Sequence, residues 1–163
     1  MMMSVLPELA QDFLDACKRK GILATTAESC TGGQIIALLT DIPGASETVD
    51  CGFVTYSNEA KQTMLGVQSA TLDTHGAVSG ETAREMAEGA LSRSKAQIAL
   101  AVTGIAGPDG GSPEKPVGLV HFGGARAGHD VIAERHVFPG DRDAIRRVAV
   151  ITALTILASL AER

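Results

Sequence analysis

The stretch TTAESCTGG, residues 25–33, ends an apolar run and opens a helix-like one, placing a hydroxyl, a thiol and a second hydroxyl at Ser29, Cys30 and Thr31. A turn of this kind can hold an activated nucleophile. Unpaired N–H groups at the start of the following helix, from about Thr31 to Gly33, would face a developing oxyanion, and Gly32 and Gly33 carry no side chain to block the approach. The same residues also suit an ordinary helix cap, since serine and threonine are favoured there. A helix N-terminus would activate Cys30 by lowering its pKa. Thiol chemistry normally takes a histidine partner, however, and His75, His121, His129 and His136 are scattered. Cys30 is therefore expected to be a small buried neighbour. Spacing alone leaves Ser29 open between nucleophile and cap.

Three more stretches carry candidate groups. In YSNEAK, Tyr56 is the single tyrosine and stands at a strand end, and Lys61 lies near the first turn of a helix that Ser57 would cap. A cation there faces the positive end of the helix dipole, and partial burial also disfavours its charged form. A lysine so tuned accepts a proton near neutral pH; the alternative is an exposed surface lysine. Thr103 closes an apolar strand, and the long loop that follows carries Gly104, Gly107, Gly110 and Gly111. Those glycines let the backbone approach a ligand closely, and loops of this length are functional or disordered more often than not. In FPGDR, Asp141 reads as an N-cap with Arg142 in the first turn. An arginine there is unfavourable unless an anion such as a phosphate sits at the helix start, a nearby carboxylate being the alternative partner. Arg146 and Arg147 are expected to be exposed or at a subunit contact.

Periodicity supplies the elements that must position these groups. Helices are expected at 5–20, 31–39, 58–65, 79–94 and from Asp141 to about Leu160. Strands are expected at 22–27, 48–56, 97–102, 117–123 and 131–138, the second of them buried on both faces. The last two strands are joined by a short glycine-rich turn and so form an antiparallel pair. Helices separate most of the others. The fold class is therefore α/β, a three-layer α/β/α sandwich around a mixed, mostly parallel sheet of about five strands.

A chain of 163 residues suggests one domain, 1–163. There is no Trp, one Tyr and four Phe, so the core is aliphatic and stacking platforms for single-stranded nucleic acid are missing. Lys plus Arg is 14 against 19 Asp plus Glu, a net charge of −5, which disfavours nucleic acid or an anionic membrane as a partner. The three cysteines show no paired spacing, which argues against disulfides or zinc and for a reducing cytoplasm. The histidines form no ligand set, and neither the P-loop nor the dinucleotide fingerprint is present, so no metal and no cofactor are expected. The start reads as no signal peptide, and the apolar C-terminal stretch, broken by Thr152 and Thr155, falls short of a membrane span. Glycine-rich strands and the long apolar final helix are compatible with a homo-oligomer.

Five blocks resemble one family. AESCTGG (27–33), GFVTYSNEAKQTMLGV (52–67), HGAVS (75–79), VTGIAGPDGGSPEKPVGLVHF (102–122) and FPGDRDAIRR (138–147) are similar, in order and spacing, to the CinA C-terminal domain family. No counterpart of the N-terminal molybdopterin-binding-like domain of longer CinA proteins is expected. The resemblance implies the activity of single-domain members, which hydrolyse the carboxamide of nicotinamide mononucleotide to nicotinate mononucleotide and ammonia. It implies Ser29 as nucleophile and Lys61 as general base, with Tyr56 orienting Lys61 or relaying the proton. Thr103 is expected to hold that pair or the substrate amide. Thr31, Gly32, Gly33, Gly104 and Gly107 are expected around the substrate, and Arg142 at its 5′-phosphate. The rival reading is an inactive nucleotide-binding or competence- and damage-associated regulatory module. Retention of Ser29, Lys61, Thr103 and Arg142 counts against it.

Overall fold

The computed structural model describes residues 2–163. In chain order the elements are α1 (Met2–Lys20), β1 (Ala24–Glu28), α2 (Gln34–Thr40), a 3-10 turn (Ala45–Glu47), β2 (Val49–Val54), α3 (Asn58–Leu65), α4 (Ser69–His75), α5 (Gly80–Ser92), β3 (Ile98–Gly104), β4 (Leu119–Arg126), β5 (Ile132–Val137) and α6 (Arg142–Glu162). The five strands form one sheet in the order β2-β1-β3-β4-β5. β1 pairs in parallel with both β2 and β3, whereas β3–β4 and β4–β5 are antiparallel. The sheet is thus mixed, with its parallel part confined to β2, β1 and β3.

Alternation along β3 sorts the two cores. Ile98, Leu100 and Val102 face a layer containing Phe13, Leu14, Ile35, Leu39, Leu154 and Leu157 of α1, α2 and α6. Ala99 and Ala101 face Leu65, Leu72, Met86, Ala87 and Ala90 of α3, α4 and α5. Side chains two apart on a strand share a face, so the large residues meet one helical layer and the alanines the other. The small residues let α5 approach closely: a Cβ at Gly123 of β4 would run into the Ala83 carbonyl of α5.

Three expectations change. β2 is an edge strand with alternating exposure, not a strand buried on both faces. The segment Ser69–His75, for which no element is expected, forms α4, with the Glu85 carboxylate accepting the Gln68 amide and the Thr71 hydroxyl at its start. α6 has 21 residues, and an 18-residue stretch of it has a mean hydropathy of 1.7, so by length and composition it passes as a membrane span. Its apolar residues, Ile145, Ala149, Ala153, Leu154, Leu157 and Leu160 among them, are buried in the first core. That packing removes this face from any role in self-association.

Gly123→Ala is expected to destabilise the fold by about 1–3 kcal/mol, the cost of overpacking. A urea titration reads this as a lower midpoint. An unchanged midpoint would contradict the close α5–β4 packing.

Candidate active site

The carboxyl ends of the three parallel strands meet in one place, which is where open α/β sheets bind ligands. β1 delivers Ser29, the residue after β2 is Thr55, and β3 delivers Thr103 and Gly104. The ladder continues past the strand ends: the Ser29 amide donates to the Val102 carbonyl and the Thr55 amide to the Glu28 carbonyl. A cavity of about 190 Å³ opens there, lined by Ser29, Cys30, Tyr56, Asn58, Lys61, Ala77, Val78, Thr103, Gly104, Ala106 and Arg142. A larger cleft of about 390 Å³ lies between α1, α2 and α6, but its lining holds no paired nucleophile and base.

Lys61 is the central feature. Ser57 caps α3 by accepting the Ala60 amide at 3.0 Å, so Lys61 sits at the end of the helix's first turn. Its side chain is 1% exposed, and its Nζ lies 3.0 Å from Ser29 Oγ, 3.0 Å from the Thr55 carbonyl and 3.2 Å from the Tyr56 carbonyl. No carboxylate pairs with it among the described residues. Burial without a counter-ion holds its pKa below the usual lysine range. A neutral amine has two protons and one lone pair. In that form, with the two carbonyls taking its protons, the lone pair would face the Ser29 hydroxyl.

Cys30 is also buried, and burial raises its thiol to about 11. It is a poor nucleophile at neutral pH. It is also uncharged there, so it does not restore the lysine's proton. Ser29 itself is 8% exposed and faces the cavity.

Other expected site residues fall differently. Tyr56 is 65% exposed, and it contacts Lys61 through its carbonyl rather than its hydroxyl. Thr103 is buried at the cavity wall and donates at 2.8 Å to the Ala77 carbonyl, tying β3 to the segment before α5. Gly104 lines the cavity, and a side chain there would meet the Leu119 carbonyl at 2.8 Å. Its glycine therefore also serves the β3–β4 pairing. Arg142 is at the cavity wall and donates to the Gly107 carbonyl at 3.0 Å. Gly107 is buried and supplies that carbonyl without lining the cavity.

The helix N-terminus is not free for an oxyanion in the way the sequence suggests. Glu28, fully buried, accepts from the Thr31 hydroxyl at 2.7 Å and from the amides of Gly33, Ile35 and Ile36 at 3.1, 3.1 and 2.9 Å. The Gly32 amide goes to the Ser29 carbonyl. The Gly32 and Gly33 amides are therefore occupied, and Thr31, Gly32 and Gly33 are not among the residues lining the cavity. A carboxylate satisfies helix-start amides well, but a glutamate reaching back from a strand lies outside the usual cap residues, so the sequence reading passed over it. Arg146, expected to be exposed or at a subunit contact, is half-buried and donates to the Cys30 and Thr31 carbonyls at 3.1 and 3.2 Å. The signal for it was the i,i+4 spacing from Arg142, which puts both on one helix face. Among the described residues, no group of three His, Cys, Asp or Glu side chains converges as a metal site.

Fold and site define an α/β/α protein with a buried serine–lysine contact at the carboxyl ends of its parallel strands. The chain belongs to the CinA C-terminal domain family, whose pattern matches residues 6–161. It is 52% identical over 154 residues to the nicotinamide-nucleotide amidohydrolase PncC of Escherichia coli strain K12, spanning 94% of this chain and 93% of that protein. A putative competence-damage inducible protein of Caldanaerobacter subterraneus is 47% identical over 92% of this chain, which corresponds to 36% of the longer relative. The crystal structure of the competence/damage inducible protein CihA from Agrobacterium tumefaciens superposes with a TM-score of 0.93 at 51% identity, covering 95% of this chain and 94% of that one.

The lowered lysine pKa has a consequence for stability. In the unfolded chain Lys61 titrates near 10.5; in the folded protein it does so at lower pH. Between the two values the unfolded state binds the extra proton, so stability rises with pH across that window. Lys61→Met is expected to remove this rise, which is at most about 1.4 kcal/mol per pH unit. Denaturant titrations at stepped pH give the two slopes. Parallel slopes would contradict a depressed pKa.

Proposed function

We propose that this chain hydrolyses the carboxamide of nicotinamide mononucleotide, giving nicotinate mononucleotide and ammonia, by a serine–lysine mechanism that needs no metal. The observation that carries the chemistry is the 3.0 Å contact between Lys61 Nζ and Ser29 Oγ, with the amine's other two partners both carbonyls. The substrate reading is supported by the similarity to the amidohydrolase of Escherichia coli over nearly the whole of both chains.

Ser29 Oγ attacks the carboxamide carbon while Lys61 takes the hydroxyl proton. The carbonyl oxygen becomes an oxyanion. With the Gly32 and Gly33 amides occupied, the turn's remaining donors for it are the amides of Cys30 and Thr31. Collapse breaks the C–N bond, and Lys61 returns its proton to the departing nitrogen, releasing ammonia. The acyl-serine is then attacked by water, whose proton passes to Lys61; the ester C–O bond breaks as Lys61 gives that proton to Ser29 Oγ, freeing the acid and restoring the serine and the neutral lysine. Lys61 thus alternates between base and acid, which a pKa near the working pH serves best.

A volume of about 190 Å³ is below that of pockets enclosing whole drug-sized ligands, about 300–1,000 Å³. It suits the pyridine ring and its carboxamide, with ribose and phosphate at the mouth. Arg142 is the group for the 5′-phosphate. At the start of α6 the Asp141 carboxylate already takes the Ala144 amide, so the arginine and not the helix end supplies the attraction. Tyr56 acts through its carbonyl on Lys61, and Thr103 through the wall it holds with Ala77.

Ser29→Ala is expected to lower turnover by on the order of 10⁴-fold or more with the fold intact, whereas Cys30→Ala stays active. Lys61→Arg keeps a cation that does not deprotonate in the working range, so it is expected to be nearly inactive. Arg142→Ala should chiefly raise KM. Ammonia release from nicotinamide mononucleotide measures all four. Dialysis against a chelator should leave the parent rate unchanged. A loss restored by one divalent ion would sink the metal-free mechanism, and an active Ser29→Ala would sink the nucleophile.

A further inference from the structure

We propose that Arg146 is a positioning residue for this reaction: by pinning the Cys30 and Thr31 carbonyls it orients the Thr31 amide and holds the turn that presents the Cys30 amide to the oxyanion. The inference rests on the serine–lysine reading above and adds to it the part that stabilises charge.

The hydrogen bonding of the turn is one-sided. Three successive carbonyls are held: Ser29 O by the Gly32 amide at 3.0 Å, Cys30 O by Arg146 Nε at 3.1 Å, and Thr31 O by the Gln34 amide at 3.1 Å and Arg146 Nη2 at 3.2 Å. Its amides are not. Ser29 N donates to Val102 O, Gly32 N to Ser29 O and Gly33 N to Glu28, but the N–H groups of Cys30 and Thr31 between them have no acceptor in another residue among those described. Cys30 is 7% exposed and Thr31 0%. The Cys30 amide reaches only its own thiol sulfur, a weak acceptor, and the Thr31 amide has none among the described residues, so both leave room for a partner that comes and goes. An oxyanion on the atom bonded to Ser29 Oγ is such a partner.

Geometry links those amides to Arg146. In a trans peptide the N–H and C=O point in opposite directions. The guanidinium holds the Cys30 carbonyl, so the Thr31 amide in the same peptide unit points away from it. The Gly32 amide holds the Ser29 carbonyl, so the Cys30 amide is likewise turned out of the hydrogen-bonded turn. An amide on the residue after the nucleophile is a recurrent oxyanion donor in serine hydrolases, and Cys30 lines the cavity. A cation on the carbonyl oxygen also polarises the peptide and strengthens its N–H as a donor. The opposite side of the turn is fixed by Glu28 through the Thr31 hydroxyl and the Gly33 amide. Arg146 is not among the cavity-lining residues, so it acts through the turn and not on the substrate. The role needs arginine, because Nε and Nη2 form a rigid fork over two carbonyls and a lysine ammonium is a single point.

The test compares Arg146→Met and Arg146→Lys with the parent, using ammonia release from nicotinamide mononucleotide and thermal melts to confirm folding. Loss of an oxyanion donor costs about 10²–10³-fold in kcat, and a fall of that order is expected for Arg146→Met. Arg146→Lys should fall less. KM should change little, and the pH midpoint of kcat/KM should match the parent, since Lys61 and its carbonyls are untouched. Added guanidinium ion should restore part of the kcat of Arg146→Ala. A folded Arg146→Met with parent kcat would overturn the proposal. Should that variant not fold, a parent-like kcat in Arg146→Lys would overturn it instead. Ser29→Ala and Lys61→Arg run alongside separate the two readings. If they are inactive while the Arg146 variants behave as the parent, the positioning role alone fails; if they remain active, the serine–lysine reading fails.

Discussion

Everything at this site depends on an amine buried without a carboxylate. Water stabilises an ammonium strongly, and removing it from water is costly unless an anion replaces the solvent. Lys61 receives two carbonyls and a hydroxyl instead. Those partners satisfy the hydrogen bonding of a neutral amine, which lacks the charge that burial penalises. The environment therefore lowers the pKa of Lys61, the direction that the proposed base role requires. Cys30 contributes by remaining a neutral thiol, because its own burial raises its pKa to about 11.

The fold exists to bring that amine to the end of a neighbouring strand. Parallel pairing of β2, β1 and β3 aligns three carboxyl ends, and Ser29, Thr55 and Thr103 emerge together. The carbonyls that hold Lys61 belong to the two residues leaving β2, so the strand that places the helix also supplies the amine's partners. Behind Ser29, Glu28 closes the start of α2 and Arg146 reaches across from α6. Two charged side chains of opposite sign thus hold a short turn from separate elements without pairing with each other.

Much of this was legible in the sequence because the controlling features are local. The Ser57 and Asp141 caps, the bounds of α3 and the antiparallel β4–β5 pair follow from residue types a few positions apart. What was not legible is non-local. β2 looked buried on both faces because its composition is apolar; its place at the sheet edge depends on strand order, which periodicity does not encode. Glu28 was overlooked because it caps a helix from the preceding strand. Tyr56 was expected to act through its hydroxyl, since side chains are what a sequence displays, whereas its carbonyl is the contacting group. Arg146 looked like a surface charge because its partners lie more than a hundred residues earlier in the chain.

The most direct test of the central claim is an NMR titration of the Lys61 side chain in the ligand-free enzyme, assigned by its loss in Lys61→Met. A depressed pKa predicts that the ε-carbon resonance titrates well below about 10.4, the value of an unperturbed lysine. A resonance that stays in its protonated position up to that pH would show a charged amine beside Ser29, and Lys61 would not be the base.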